Sequence, residues 1–138
     1  MNQESGYYYK RDNTGINVAI IGIGSNIDAE KNISAMLDIL GSGVNIVKIS
    51  KLVKTKPIGI KDQPDYINGA VKVETVLNID KLRLLLKNIE DRLGRDREGP
   101  KFGPRTIDLD IIAWNGKIVH QEYFSRDFLR DSVDEVSR

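Results

Sequence analysis

Cysteine is absent from the 138 residues, and histidine occurs once. The first absence excludes disulfide frameworks, thiolate zinc sites and thiol nucleophiles together. The second leaves no convincing serine-histidine-aspartate triad, and His120, after a hairpin strand, is expected to be an ordinary surface residue. An excess of either charge is missing too: 21 basic against 20 acidic side chains leave a formal charge of +1. Coating nucleic acid or an anionic membrane normally demands a strong basic surplus, so neither is an expected partner. No apolar run approaches the roughly 18 residues of a membrane span. Residues 1–15 hold no apolar signal segment, and a cytoplasmic location is the expectation.

What is there is enough for a core. Hydrophobic residues make up 40% of the chain and charged ones 30%, within the length of one compact domain. Residues 1–15, MNQESGYYYKRDNTG, read as a flexible polar arm and 16–138 as the domain. Residues 17–23, NVAIIGI, hold consecutive apolar residues, as in a strand covered on both faces. Asp28 is expected to cap a helix running to Leu40, with Ile33, Met36, Leu37 and Leu40 on one stripe and Gly41 ending it. Residues 44–54 predict one long strand whose alternation changes phase midway, and 56–65 a loop. Over 66–75, Ile67, Gly69, Val71 and Val73 point one way, while Tyr66, Asn68, Lys72 and Glu74 point the other. Asp80 is expected to cap a second helix bearing Leu82, Leu85, Leu86, Ile89 and Leu93, and Gly94 to end it. A charged loop over 95–105 leads to a strand at 106–114, and Asn115-Gly116 signals a hairpin into 117–120. A short helix falls within 124–138. The order predicts the α+β class: a ferredoxin-like β-α-β-β-α-β sandwich with an added C-terminal hairpin. Both helices would cover one face of the sheet, leaving the other for a ligand.

Asp108 and Asp110 carry the sharpest chemical signal. Two residues apart on a strand, they project from one face, roughly 7 Å apart. Paired carboxylates beside apolar neighbours repel and lose solvation, and a divalent cation with phosphate oxygens would relieve both. A solvated edge strand with ordinary aspartates is the alternative. Arg95, Arg97, Lys101 and Arg105 precede the strand, suited either to phosphate or to pairing with Asp91, Asp96 and Glu98. Tyr66 and Asn68 fit a flat heterocycle by stacking and edge hydrogen bonds, or a half-buried strand. Gly22-Ile23-Gly24-Ser25-Asn26 reads equally as a phosphate-loop fragment or as a tight strand-to-helix turn.

These pieces occur together in one family. The run Lys101-Phe102-Gly103-Pro104-Arg105-Thr106-Ile107-Asp108-Leu109-Asp110-Ile111-Ile112, with GIGSN at 22–26 and TKPIGIKDQPDYINGAV at 55–71, resembles the 6-hydroxymethyl-7,8-dihydropterin pyrophosphokinases. The likeness covers about 17–119. It implies transfer of the β,γ-pyrophosphoryl unit of ATP to the hydroxymethyl group of a reduced pterin, with release of AMP, in folate biosynthesis. It further implies two Mg²⁺ ions on Asp108 and Asp110, and phosphate charge met by Arg95, Arg97, Lys101 and Arg105. Arg95 and Arg105 would act with the aspartates as catalytic residues. Glu90 and Ile111 match the nucleotide side, and Thr55, Ile58, Tyr66 and Asn68 the pterin side. Phe102 stands where the family often has tryptophan. After Val119 the family's Pro-His-Tyr segment is missing, and the chain is short at its end. Arg126 and Phe128 match a later Arg-x-Phe, as a phosphate ligand and a second pterin contact. The expectation is a shortened, monomeric enzyme with ATP and a pterin as partners. A binding-only relative and a ferredoxin-like interaction module are the alternatives.

Overall fold

The computed structural model describes residues 15–100 and 103–138. The arm expected over 1–15, Gly15 apart, lies outside them, as do Lys101 and Phe102. In chain order the elements are β1 (Asn17–Ser25), α1 (Ala29–Gly43), β2 (Asn45–Ile49), β3 (Val53–Thr55), β4 (Tyr66–Thr75), α2 (Ile79–Arg92), β5 (Asp108–Trp114), β6 (Lys117–Ile118), α3 (Glu122–Ser125) and α4 (Asp127–Ser137). The class is α+β. One antiparallel sheet runs β2-β4-β1-β5-β6, with β3 also on β4 beside β2.

Alternation along the central strands divides the core. Ala19, Ile21, Ile23, Val71, Val73, Leu109 and Ile111 meet Ile33, Met36 and Leu40 of α1 and Leu82, Leu86 and Ile89 of α2. On the opposite face, Ile20, Ala70, Ile112 and Ala113 meet Leu129, Val133 and Val136 of α4. That second helical layer corrects the expectation of an open face. Leu129, Val133 and Val136 recur at helical spacing in an otherwise acidic stretch, a stripe just wide enough to seat α4 on the sheet. Only the end of this face near Gly24, Asn68 and Asp108 is left clear.

Local chemistry shifts several boundaries. Asp28 stands before α1 with φ +44 and makes no side-chain cap, and α1 runs past Gly41 to Gly43. Gly41 therefore lies inside the helix rather than ending it. Asn78, not Asp80, caps α2, accepting the Lys81 N–H at 2.9 Å. Gly94 does end that helix, at φ +86. The strand expected over 44–54 breaks in two at Ser50. There the Ala70 N–H donates to Ser50 Oγ at 2.8 Å, a hydroxyl standing in for a ladder carbonyl. Asn115 and Gly116 have φ of +49 and +85, as a two-residue hairpin turn of this kind requires.

Candidate functional site

The clear end of the sheet forms a cavity of about 260 Å³. Its floor is β1, where Gly22 and Gly24 are ordinary strand residues. The expectation of a phosphate-loop fragment or a tight turn is therefore corrected: what counts is the missing side chain. A β-carbon on Gly22 would come within 3.1 Å of Leu129 Cδ1, and one on Gly24 within 2.8 Å of Asn68 Oδ1. Glycine lets α4 pack closely at one position and a carboxamide lie across the strand at the other.

Thr55, Ile58, Tyr66 and Asn68 form one wall. Pairing of β3 with β4 sets Thr55 opposite Tyr66 and Val53 opposite Asn68. Asn68 Nδ2 donates to Thr55 Oγ1 at 2.5 Å, and the Tyr66 hydroxyl donates to Gly103 O at 2.9 Å. Burial raises the Tyr66 pKa, against the lowering influence of Arg105, so the phenol remains a neutral donor. Arg105, Arg126 and Phe128 line other parts of the cavity. Arg126 pairs with Glu122 at 3.0 Å, one helical turn before it.

Asp108 and Asp110 both line the cavity, while Leu109 between them points into the α1/α2 core. Desolvation, then repulsion from Asp108, pushes the Asp110 carboxyl up from 3.8 to about 6. His120 opposes that rise: its Nε2 lies 3.9 Å from Asp110 Oδ1, while Nδ1 accepts the Glu122 N–H at 3.2 Å. His120 is thus not the detached surface residue expected. Among the described residues no third acidic or imidazole group completes a metal-binding cluster. The donor set fits a hard cation that fills the rest of its shell from phosphate oxygens and water.

Behind the carboxylates lies a buried bracket. Glu90, 5% exposed at the end of α2, accepts the Leu109 N–H at 2.8 Å through Oε2. The same oxygen meets Arg95 Nη1 at 2.8 Å, and Oε1 meets Arg97 Nη2 at 2.9 Å. Arg95 Nη1 also reaches Asp108 Oδ1 at 3.1 Å, and Arg97 Nε reaches Asp91 at 2.9 Å. Of the alternatives for the loop cations, pairing with Asp91 is seen for Arg97, and Arg95 pairs with Glu90 and Asp108. The buried Arg95 Nε has no hydrogen-bond partner among the described residues. Ile111 joins the α1/α2 core rather than the cavity wall. Lys56 and Glu122 line the cavity and were not anticipated; single charged residues in a loop and a short helix give no pattern to find them by.

Comparison with known proteins follows from this geometry. Residues 20–138 match the family model described as 7,8-dihydro-6-hydroxymethylpterin-pyrophosphokinase (HPPK). The chain is 39% identical over 109 residues to the 2-amino-4-hydroxy-6-hydroxymethyldihydropteridine pyrophosphokinase of Bacillus subtilis, covering 77% of this chain and 65% of that protein. To the enzyme of the same name from Haemophilus influenzae it is 38% identical over 107 residues, 75% of this chain and 66% of the other. A folate synthesis bifunctional protein of Arabidopsis thaliana is 31% identical over 129 residues, 86% of this chain and 26% of that protein. The chain thus spans just under two thirds of the length of the two bacterial relatives.

Proposed function

The chain belongs to the 7,8-dihydro-6-hydroxymethylpterin-pyrophosphokinase family, and from that premise we propose that it transfers pyrophosphate from ATP to 6-hydroxymethyl-7,8-dihydropterin in folate synthesis. The observation that carries the proposal is one cavity with two chemistries. A carboxamide and a phenol stand on one wall, and a carboxylate pair with arginines stands within reach of the same space.

In the proposed reaction the hydroxymethyl oxygen attacks the β-phosphorus of ATP. The bond from that phosphorus to the oxygen shared with the α-phosphate breaks, AMP leaves with the electron pair, and the hydroxyl proton passes to solvent. Asn68, Thr55, Tyr66, Ile58, Phe102 and Phe128 would hold the pterin ring. A flat heterocycle with alternating donors and acceptors suits an amide fixed by its Thr55 bond. Arg95, Arg97, Lys101, Arg105 and Arg126 would meet the phosphates, with Glu90 keeping Arg95 and Arg97 in place. Asp108 and Asp110 would hold Mg²⁺, two ions on the sequence expectation. When bound, Mg²⁺ would offset polyphosphate charge and acidify the attacking hydroxyl. Transfer of this kind depends chiefly on alignment and charge, so one histidine and no cysteine suffice.

The ferredoxin-like architecture belongs to the same proposal, supported by the antiparallel order with β2 and β3 both beside β4. So do a cytoplasmic location and a monomeric state with small-molecule partners; no helix among the described residues is long and apolar enough to cross a membrane. Incubation with ATP, Mg²⁺ and 6-hydroxymethyl-7,8-dihydropterin should release AMP. Pterin binding without AMP would favour a binding-only relative, and binding of neither would overturn the proposal.

A further inference from the structure

The charged side chains that line the cavity balance among the described residues: Asp108, Asp110 and Glu122 stand against Lys56, Arg105 and Arg126. A polyphosphate entering this space meets little net attraction unless the charges rearrange. One pair is free to do so. Arg126 Nη2 lies 3.0 Å from Glu122 Oε2, with the two side chains 28% and 40% exposed. A pair this open to water is worth little, so a phosphate group can take the guanidinium from the carboxylate.

The backbone beneath the pair is fixed. The Arg126 N–H donates to Glu122 O at 3.0 Å, across the whole of α3. The Glu122 N–H donates to His120 Nδ1 at 3.2 Å, and the Tyr123 hydroxyl donates to Asp134 Oδ1 at 2.8 Å, tying α3 to α4. Arg126 stands at the break between the two helices, extended at φ −124 and ψ 109. A change of partner there needs only rotation of side chains. The carboxylate left behind stays within the field of Asp110, whose carboxyl is raised by desolvation first, then by Asp108, and by Glu90 and Glu122 after them. A cation arriving with the phosphates would offset its charge.

We propose that Glu122 is a positioning residue that holds Arg126 as its counter-ion in the empty site and yields it to the phosphates of the nucleotide, so that nucleotide affinity is set below what the same arginine would give unpaired. The proposal rests on the substrate assignment above, which takes Arg126 as a phosphate contact. Its size follows from populations. If Arg126 is unpaired about one fifth of the time, the nucleotide binds about fivefold less tightly than to a permanently free arginine.

Glu122→Gln keeps the size of the side chain and an accepting oxygen but removes the charge. Dissociation constants for α,β-methylene-ATP with Mg²⁺ are measured by calorimetry at one ionic strength for the wild-type chain, Glu122→Gln, Arg126→Ala and the double variant. Glu122→Gln should tighten binding about fivefold when Arg126 is present and change it less than twofold in the Arg126→Ala background. Glu122→Asp, which keeps the charge, should stay within twofold of wild type. Glu122→Ala should repeat the tightening and replaces Glu122→Gln if that variant folds poorly. Equal tightening in both backgrounds would make Glu122 a plain repulsive charge, and weaker binding by Glu122→Gln would make it a support that aims the arginine. Either result, or no change, overturns the proposal. If none of the proteins binds the nucleotide analogue, the substrate assignment falls and the same set is titrated with magnesium pyrophosphate. The same pattern is then expected, and its absence overturns the exchange of partners as well.

Discussion

The buried carboxylate of Glu90 accepts the main-chain N–H of Leu109 at 2.8 Å, fastening the last turn of α2 to β5 between its two aspartates. The same carboxylate anchors Arg95 and Arg97. Glu90→Ala would leave two guanidinium groups and a strand amide short of a partner. Loss of one member of a buried ion pair destabilises by about 3–5 kcal/mol, and urea unfolding of the two proteins should show it. A loss below about 1 kcal/mol, the scale of a surface pair, would refute the bracket.

Asp110 makes stability depend on pH. Its carboxyl titrates near 6 in the folded chain against 3.8 ordinarily, so between those values the folded state binds more protons than the unfolded one. Stability should fall as pH rises from about 4 toward 6 and then level off. Mg²⁺, favouring the ionised form, should recover more stability at pH 7.5 than at pH 5. Asp110→Asn should remove this pH-dependent contribution, respond less to Mg²⁺ and lose nearly all turnover. Melting temperatures at the two pH values with and without Mg²⁺ are the check; identical Mg²⁺ responses in both proteins would refute the site.

Gly24→Ala should act on the pterin alone. Its β-carbon would stand 2.8 Å from Asn68 Oδ1, pushing the amide off Thr55. KM for the pterin is expected to rise tenfold or more, with KM for ATP within threefold and the melting temperature nearly constant. Equal rises in both KM values would mean that Asn68 does not act as a pterin-side contact.

Leu129 anchors α4 against Gly22 and Ile112. Leu129→Ala should lower stability by about 2–4 kcal/mol and loosen Arg126 and Phe128 just before it. Chemical denaturation gives the first effect and tryptic cleavage after Arg126 the second. Wild-type resistance at both readouts would mean that α4 is held by something else.

What could be read without coordinates were features set by neighbours in sequence. The stripes of Met36 and Leu40, or Leu82 and Ile89, and the Asn115-Gly116 turn are local, and each stands where expected. Asp108 and Asp110 share a face because strand geometry demands it. What escaped depends on distant partners. Ser50 divides a strand only because Ala70 lies opposite. His120 acquires meaning only across a hairpin, and α4 reads as a weak amphipathic tail until the sheet face it covers is known. Asn26 showed only as the end of the Gly22 to Asn26 run, since the three residues it bonds lie 37 to 79 positions away.

The alternation of β5 has a consequence for how the chain avoids misfolding. Leu109 and Ile111 face the helices while Asp108 and Asp110 face the cavity. A slip of one residue against β1 would exchange the two sets, exposing both aliphatic side chains and forcing two carboxylates among Ile33, Met36 and Ile89. The groups proposed to carry the chemistry therefore also proofread strand assembly, and a chain that has buried its core correctly has already aimed them outward.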